Sequence, residues 1–219
     1  MPQPLVTLTG ESLGWGGQLA LHDVSLQITQ GERIAILGRS GAGKSTLLTA
    51  LHDRAQGRLA LVPQDHGLIG ALSVFHNVWM GVLDDHGTPR NLRTLIWPNA
   101  DERGRVAQVL VVVGLDDLGR RPVSQLSGGQ RQRVALARAL LRGGALVLGD
   151  EPVTALDPEQ GAALLDHLLG AFPTSVLVLH DVDQALRVAT RIIGLRQGRV
   201  AVDAPASDLS ADDLLQLYR

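Results

Sequence analysis

The sequence predicts an α/β fold, and two observations support this prediction. Short apolar runs typical of buried strands alternate along the 219 residues with stretches of helical periodicity. Residues 66–125 break this alternation, because they hold few strand-like runs. The middle of the chain is therefore set apart from the strand-rich segments on either side.

Two kinds of strand are expected. Residues 5–9 and 24–28 alternate apolar and polar side chains, as half-buried antiparallel strands do. Residues 33–37 form a short apolar run, which is typical of a fully buried strand. Further strands are expected at residues 59–62, 145–148, 175–179, 192–195 and 200–202.

Helices are expected between these strands. One begins near Lys44 and places Leu47, Leu48 and Leu51 on a single face. Residues 106–113 are also expected to be helical, despite their valines. Further helices are expected at residues 130–141, 184–189 and 210–218.

The composition limits the classes of function. Hydrophobic residues make up 45% of the chain, so a packed interior can form. The net charge of −2 argues against a strongly nucleic-acid-binding surface. Cysteine is absent, which excludes disulfides and thiolate metal sites and fits a reducing compartment. We expect no secretory leader, because the first residues lack a basic region followed by an apolar run. No run of about 18–20 apolar residues is seen, so we expect the chain to serve any membrane process through partner chains.

A phosphate-binding loop is predicted at Gly38–Ser45, which matches G-x-x-x-x-G-K-[S/T] between a strand and a helix. Backbone N–H groups in such a loop point at phosphate oxygens, and the helix N-terminus adds positive partial charge. Lys44 supplies a cation for the β- and γ-phosphates, and Ser45 offers a hydroxyl to Mg²⁺. A chance glycine-rich turn is the alternative. The expected nucleotide contacts here are Gly38, Arg39, Ser40, Gly41, Ala42, Gly43, Lys44, Ser45 and Thr46.

An acidic pair, Asp150 and Glu151, follows the apolar run at 145–148. A buried strand that ends in two acids places carboxylates at the carboxyl edge of the sheet, beside the phosphate loop. We expect Asp150 to hold Mg²⁺, directly or through water, and Glu151 to act as the general base on the attacking water. A solvated acidic turn is the alternative.

The segment Leu126–Arg133 reads Leu-Ser-Gly-Gly-Gln-Arg-Gln-Arg. Ser127 is a favoured N-cap residue, so a helix is expected to begin here and to offer an anion site at its N-terminus. One chain already has a complete phosphate loop. A second anion site therefore needs a further explanation.

Together these three motifs resemble the ATP-binding-cassette (ABC) ATPases that drive membrane transporters, and the resemblance covers essentially the whole chain. It implies one ABC ATPase domain, 1–219, with a P-loop NTPase (RecA-like) core and an antiparallel β-subdomain at 1–65 and 143–219. An inserted α-helical subdomain with the signature motif would occupy 66–142. Lys44 and Gln64 are only 20 positions apart, fewer than is usual in the family, so we expect a trimmed β-subdomain. Gly149 departs from the family's usual residue, and we interpret it as a packing variation.

The resemblance also assigns roles to isolated residues. Gln64 would contact Mg²⁺ and the lytic water, and His180 would contact the γ-phosphate. Asp157 would cross a dimer interface, and Trp15, 23 positions before Gly38, would stack on adenine. The alternatives are a surface glutamine, a structural histidine and an exposed loop tryptophan.

In the resembled family, the signature of one subunit closes over the γ-phosphate held by the other. Ser127, Gly128, Gly129 and Gln130 would then bind the partner's ATP. The implied partners are a second ABC ATPase subunit, with a homodimer as the simpler expectation, and transmembrane permease subunits. An extracytoplasmic substrate-binding protein would act indirectly, and no nucleic acid is expected. The implied location is cytoplasmic, peripheral on the inner face of the cell membrane.

Several segments resemble the ATP-binding subunits of phosphonate importers: Ser73–Val78, Gln184–Arg187, Arg191–Gly198, Leu217–Arg219 and the spacer between Met80 and Ala100. None of these segments would touch cargo, so import of phosphonate or a related small anion rests on family association.

Several other functions are alternatives. Another cargo, or export, would use the same motifs. Soluble cassette ATPases that act on DNA or ribosomes usually carry a coiled coil, a zinc site or two cassettes, none of which is seen. A non-hydrolysing ATP-gated module conflicts with intact Lys44, Asp150, Glu151 and His180. A small-molecule P-loop kinase would not explain residues 126–133.

Three of the six aromatic residues, Phe75, Trp79 and Trp97, lie in the middle segment. They are expected either to pack the core of the helical subdomain or, in one case, to lie in a groove that receives a permease helix.

Overall fold

A computed structural model describes residues 4–218 of the chain, which form two compact units. The first unit contains residues 4–59, 145–151 and 172–218, and the second contains residues 60–144 and 152–171. The strands, in chain order, are β1 (Pro4–Trp15), β2 (Gln18–Thr29), β3 (Arg33–Leu37), β4 (Leu59–Val62), β5 (Leu146–Asp150), β6 (Thr174–Val178), β7 (Arg191–Arg196) and β8 (Arg199–Pro205). The α-helices are α1 (Lys44–Arg54), α2 (Val74–Trp79), α3 (Thr88–Ile96), α4 (Ala100–Val112), α5 (Gly128–Arg142), α6 (Pro158–Ala171), α7 (Val182–Val188) and α8 (Ala211–Leu215).

The first unit is built on a sheet in which five strands have the order β5-β6-β3-β7-β8. β5, β6, β3 and β7 run parallel, and β8 pairs antiparallel with β7. Every residue of β5 and β6 is buried, as their continuous apolar runs predict. β3 lies between β6 and β7, so the phosphate loop that follows it starts at the carboxyl edge of the sheet. The predicted α/β class is confirmed.

A separate two-stranded antiparallel sheet, β1 with β2, also belongs to the first unit. Its turn consists of Gly16 and Gly17, which both have positive φ, as a two-residue hairpin turn requires. Residues 5–9 and 24–28 are confirmed as strands but lie within longer ones, because irregularities in the pairing interrupt the apolar alternation that would reveal their full length. With only two strands, this is the trimmed β-subdomain that was expected.

The helices of the first unit cover its sheets. α1 buries the predicted Leu47, Leu48 and Leu51. The helix predicted at residues 210–218 is confirmed as α8 followed by a 3₁₀ turn, Gln216–Tyr218.

The second unit is helical after the end of β4. Its core includes Val78 and Trp79 of α2, Val106 and Leu110 of α4, and Leu136 of α5. The helices predicted at 106–113 and 130–141 correspond to α4 and α5. The unit also contains α6, whose residues the sequence analysis assigned to the core segment 143–219. The proposed domain boundaries remain a prediction.

The aromatic residues of the second unit differ in environment. Trp79 is buried, and its ring stacks on Phe75 with centroids 6.2 Å apart and on His86 at 5.5 Å. The guanidinium of Arg105 lies 5.4 Å from the Trp79 ring centroid. Trp97, in contrast, is 75% exposed. Trp79 therefore packs the interior of this unit, as one of the two expectations had it.

Across residues 4–218, none of the helices has the length and apolar character that crossing a membrane requires.

Candidate functional site

The phosphate loop connects β3 to α1 and wraps around the Lys44 side chain. Lys44 Nζ donates to the backbone carbonyls of Gly38, at 2.7 Å, and Arg39, at 3.0 Å. Gly43 has a φ of 100°, and a Cβ there would lie 2.6 Å from a methyl group of Leu21. This position therefore accommodates only glycine. The loop therefore folds around the ammonium group of Lys44.

The first turn of α1 can accept an anion. Its N-cap residue, Gly43, makes no side-chain capping hydrogen bond. The N–H groups of the first turn therefore have no side-chain acceptor from the cap, and they carry the positive end of the helix dipole. A phosphate group is one of the anions that such a terminus binds.

Burial lowers the pKa of Lys44 from its ordinary value, while the negative charges of Glu151 and Asp150 act in the opposite direction. Only 7% of the lysine is exposed. The acidic residues thus help to keep a buried ammonium protonated, and a bound polyphosphate would add to this effect.

Ser45 and Asp150 meet at the carboxyl edge of the sheet. The Ser45 hydroxyl donates to Asp150 Oδ2 at 2.6 Å, and Asp150 is 6% exposed. Asp150 is the last residue of β5 and pairs with Val178 of β6. A hydroxyl and a carboxylate side by side are oxygen ligands of the type that Mg²⁺ prefers.

Glu151 and His180 form a second pair beside the first. Glu151 follows β5, and its Oε1 lies 2.5 Å from His180 Nε2. The Glu151 backbone N–H donates to the Val178 carbonyl at 3.2 Å, and Glu151 has a φ of +54°. A non-glycine residue in this region is strained, and such strain is concentrated at functional sites. The backbone conformation of Glu151 therefore orients its side chain, and His180 fixes the position of its carboxylate.

Trp15 lies at the end of β1. Its Nε1 donates to Thr46 Oγ1 in the first turn of α1 at 3.3 Å, yet the residue is 62% exposed. One edge of the indole is thus anchored next to the phosphate loop, while most of the ring remains open to stack on a base.

The first unit brings together Trp15, the phosphate loop with Thr46, Asp150, Glu151 and His180. The other predicted site residues, Gln64, Ser127–Gln130 and Asp157, belong to the second unit. Gln64 lies just after β4 and is exposed.

The signature segment forms the N-terminus of α5. The Ser127 hydroxyl accepts from the Gln130 N–H at 3.2 Å, and Gln130 Oε1 accepts from the Ser127 N–H at 3.0 Å. This capping box occupies the amide of Gln130 and leaves the amides of Gly128 and Gly129 outside it. A Cβ on Gly129 would lie 3.1 Å from the Ala155 carbonyl, so the segment packs closely on the chain that leads to Asp157.

Gln132 lies in the segment Leu126–Arg133, but the sequence analysis assigned it no role. Its Oε1 accepts from the Ala155 N–H at 2.7 Å, and it is 4% exposed. Asp157 in turn accepts from the Gln160 N–H at 2.9 Å at the start of α6. Helical spacing could have revealed Gln132, because it lies three, four and seven positions before the buried Ala135, Leu136 and Ala139.

Comparison with known sequences decides the family. The sequence model described as ABC transporter matches residues 21–154. The chain belongs to the ABC transporter family. It is one of the family's ATP-binding proteins, which are ATPases coupled to transport.

Curated ABC relatives match the chain over most of its length. The phosphonates import ATP-binding protein PhnC 2 of Rhodopseudomonas palustris is 40% identical, and the alignment covers 95% of this chain and 82% of that protein. The phosphonates import ATP-binding protein PhnC of Escherichia coli K12 is 37% identical, with 91% and 88% covered.

Solved ABC structures share the fold. The ATP-binding cassette MJ0796, solved as a dimer in a post-hydrolysis state with ADP and phosphate, matches with a TM-score of 0.76 and 28% identity. That match covers 94% of this chain and 99% of MJ0796. A bacterial Atm1-family ABC exporter with ATP bound also matches with a TM-score of 0.76, at 25% identity, over 98% of this chain and 41% of that chain.

Proposed function

We propose that the chain hydrolyses ATP with Mg²⁺ as a dimer and that this reaction powers import of phosphonate or a related small anion. One observation carries the catalytic part: the first unit holds the buried Lys44, the Ser45–Asp150 pair and the Glu151–His180 pair together. We further propose that 1–219 is a single ABC ATPase domain, with its core at 1–65 and 143–219 and its helical subdomain at 66–142.

Nucleotide binding is assigned to the phosphate loop and Trp15. Lys44 would neutralise the β- and γ-phosphates, and the uncapped first turn of α1 would bind phosphate oxygens. Trp15 would stack on adenine, which needs only an open ring face, so selectivity for the base would be low. Residues Arg39, Ser40, Ala42 and Thr46 would contribute through their backbone or hydroxyl groups.

The adjacent oxygens of Ser45 and Asp150 fit a magnesium ion. Mg²⁺ in nucleotide sites usually takes one or two protein ligands and completes its shell with water and phosphate, so this small set of ligands is sufficient. Gln64 is assigned as a further contact to the metal and the lytic water. When bound, the ion neutralises charge on the phosphates.

Water activation is assigned to Glu151. Its carboxylate would accept the proton of the attacking water as general base. His180, which contacts Glu151 through Nε2, would orient that carboxylate and contact the γ-phosphate. The strained backbone of Glu151 supports this role.

A homodimer is proposed because the chain has one copy of each motif and its signature is a second potential anion site. Ser127, Gly128, Gly129 and Gln130 would bind the γ-phosphate held by the partner, and Asp157 would lie at the shared interface. The dimeric state of the structurally similar cassette MJ0796 supports this assembly.

The cargo is proposed from the relatives, whose names specify phosphonate import. Permease subunits would carry the cargo through the membrane, with an extracytoplasmic binding protein delivering it and no nucleic acid involved. The chain would then lie at the cytoplasmic face of the membrane. An exporter with the same cassette fold shows that the fold alone does not select the cargo or the direction.

The experiment is uptake of a labelled alkylphosphonate by phosphate-starved cells of the source organism. Parent cells are compared with a deletion strain, and with that strain complemented by the native gene or by Lys44→Ala. We expect uptake to be lost on deletion and restored only by the native gene. Uptake that is unchanged by deletion, in cells without another importer of phosphonate, would reject the cargo.

A further inference from the structure

The segment that follows Gln64 has a tightly folded, strained backbone. The His66 N–H donates to the Pro63 carbonyl at 3.0 Å, and the Gly67 N–H donates to Asp65 Oδ1 at 3.1 Å. His66 and Gly67 both have positive φ, +63° and +52°. Such a conformation at a non-glycine residue persists only where neighbouring groups hold it.

Arg138 stabilises this backbone conformation. It lies on α5, the helix that begins at the signature, and it is half-buried. Its Nη2 donates to the His66 carbonyl at 2.6 Å, and its Nη1 donates to the Gly67 carbonyl at 2.7 Å. One planar guanidinium thus binds both residues of the strained pair, and charged donors make the stronger hydrogen bonds.

We propose that Arg138 is a positioning residue for Gln64, which makes the signature helix and the Gln64 loop move as one body. The proposal rests on the proposed function, because it assumes that Gln64 serves hydrolysis. It adds that placement of Gln64 depends on a residue of α5, eleven positions beyond Ser127. Binding of the signature to a partner's nucleotide would therefore also set the position of Gln64.

The same helix supplies a matched control. Arg133 Nη1 donates to the carbonyls of Val113, at 3.1 Å, and Gly114, at 3.0 Å, just beyond α4. Gly114 also has positive φ, +63°. Arg133 therefore makes the same kind of link as Arg138 but to a loop that carries none of the proposed site residues.

The first arm of the test measures ATPase rates of the full chain for Arg138→Ala, Arg133→Ala, Gln64→Ala and the double variant Gln64→Ala/Arg138→Ala. We expect Arg138→Ala to lower kcat by about 10- to 100-fold, as small misplacement of a catalytic group does. Affinity for ATP should change little, because the phosphate loop is untouched. Arg133→Ala should lower kcat less than Arg138→Ala does, and the double variant should be no slower than Gln64→Ala alone.

The second arm measures amide hydrogen exchange. Arg138→Ala should speed exchange at the His66 and Gly67 amides, while Arg133→Ala leaves those two amides protected. Arg138→Lys, which keeps the charge but lacks the planar fork, should give intermediate exchange and an intermediate kcat. This variant also keeps the test valid if Arg138→Ala does not fold.

The two arms separate failure of the inference from failure of the proposed function. An inactive native chain whose exchange pattern follows the expectation would reject the proposed ATPase function and still support the link between Arg138 and the loop. An active chain in which Arg138→Ala matches Arg133→Ala in both kcat and exchange would overturn the inference. Additive losses in the double variant would overturn it as well.

Discussion

Within residues 4–218, carboxylates are buried in two places, and the two environments differ in the groups that bond to the carboxylate. Glu102, in the second unit, is fully buried at the start of α4. It accepts from the Asn99 N–H at 2.9 Å and pairs with the guanidinium groups of Arg93 and Arg90. Asp150, in the first unit, accepts from the hydroxyl of Ser45.

The difference separates a structural group from a functional one. Glu102 is neutralised by charged donors of its own unit, so nothing further needs to bind there. At the nucleotide site the short-range partners are neutral: a hydroxyl for Asp150 and two carbonyls for Lys44. Such partners are readily exchanged for a metal and phosphates, which carry full charge.

The largest effect is expected from Glu151→Gln. The substitution keeps the shape of the side chain but removes the base, so kcat should fall by about 10²- to 10⁴-fold. ATP should still bind, and an ATP-bound dimer should accumulate. Steady-state ATPase assays and size-exclusion chromatography with ATP and Mg²⁺ measure the two effects.

Glu159→Gln is the control for Glu151→Gln, because Glu159 is an exposed glutamate in the first turn of α6. It should retain parental turnover. Parental turnover in Glu151→Gln itself would show that another group is the base.

Glu102→Ala should act on stability instead. Removing the carboxylate deletes its hydrogen bonds to the Asn99 N–H and to two arginines that are themselves 40–43% exposed, so we expect a loss of about 1.5–3 kcal/mol. Urea unfolding followed by circular dichroism measures the loss. Glu159→Ala should cost less than about 1 kcal/mol, since it removes an exposed acid at a helix start. A similar loss in both variants would mean that the Glu102 cluster contributes no more than surface charge.

The sequence predicted the short apolar strands well, for a physical reason. β3 and β4 have the residue ranges that were expected, because each is a short apolar run with a glycine or proline directly after it. β1 and β2 are much longer than expected, since their irregular pairing disrupts the period-two pattern. Local patterns therefore locate strands but underestimate the length of strands whose pairing is irregular.

The sequence predicted which residues form the candidate site, but not their backbone conformation or all of their hydrogen-bond partners. The motifs named Ser45, Asp150 and Glu151, and the family resemblance named His180. The structure places these four residues in two close pairs. The positive φ of Glu151 left no trace in the sequence, because it is imposed by the ends of β5 and β6. The bond from Gln132 to Ala155 joins residues 23 positions apart, and no periodicity reveals such a partner.

Trp15→Ala tests the contribution of a neutral side chain at the rim of the nucleotide site. Loss of aromatic stacking on a base typically costs about 1–3 kcal/mol, so the Kd for ATP should rise by about 5- to 150-fold. Isothermal titration calorimetry of the full chain measures it. Trp97→Ala removes a similarly exposed tryptophan from the second unit and should leave the Kd unchanged. Equal affinities in Trp15→Ala and the native chain would exclude stacking on Trp15.

The smallest effect is a pH dependence of the stabilisation that Glu102 contributes. Burial opposes ionisation of Glu102, but the Asn99 amide, the Thr94 hydroxyl and the Arg93 guanidinium outweigh it and hold the pKa below the ordinary value of 4.5. A carboxyl whose pKa is lowered on folding contributes stability above its unfolded pKa and loses it as the pH falls through the folded pKa. The native chain should therefore have the larger free energy of unfolding, and its excess over Glu102→Gln should be greatest near neutral pH. This excess should shrink as the pH falls below about 4.5. Urea unfolding of both proteins across this range measures the difference, and a difference that stays constant to the lowest pH at which both remain folded would contradict the assignment.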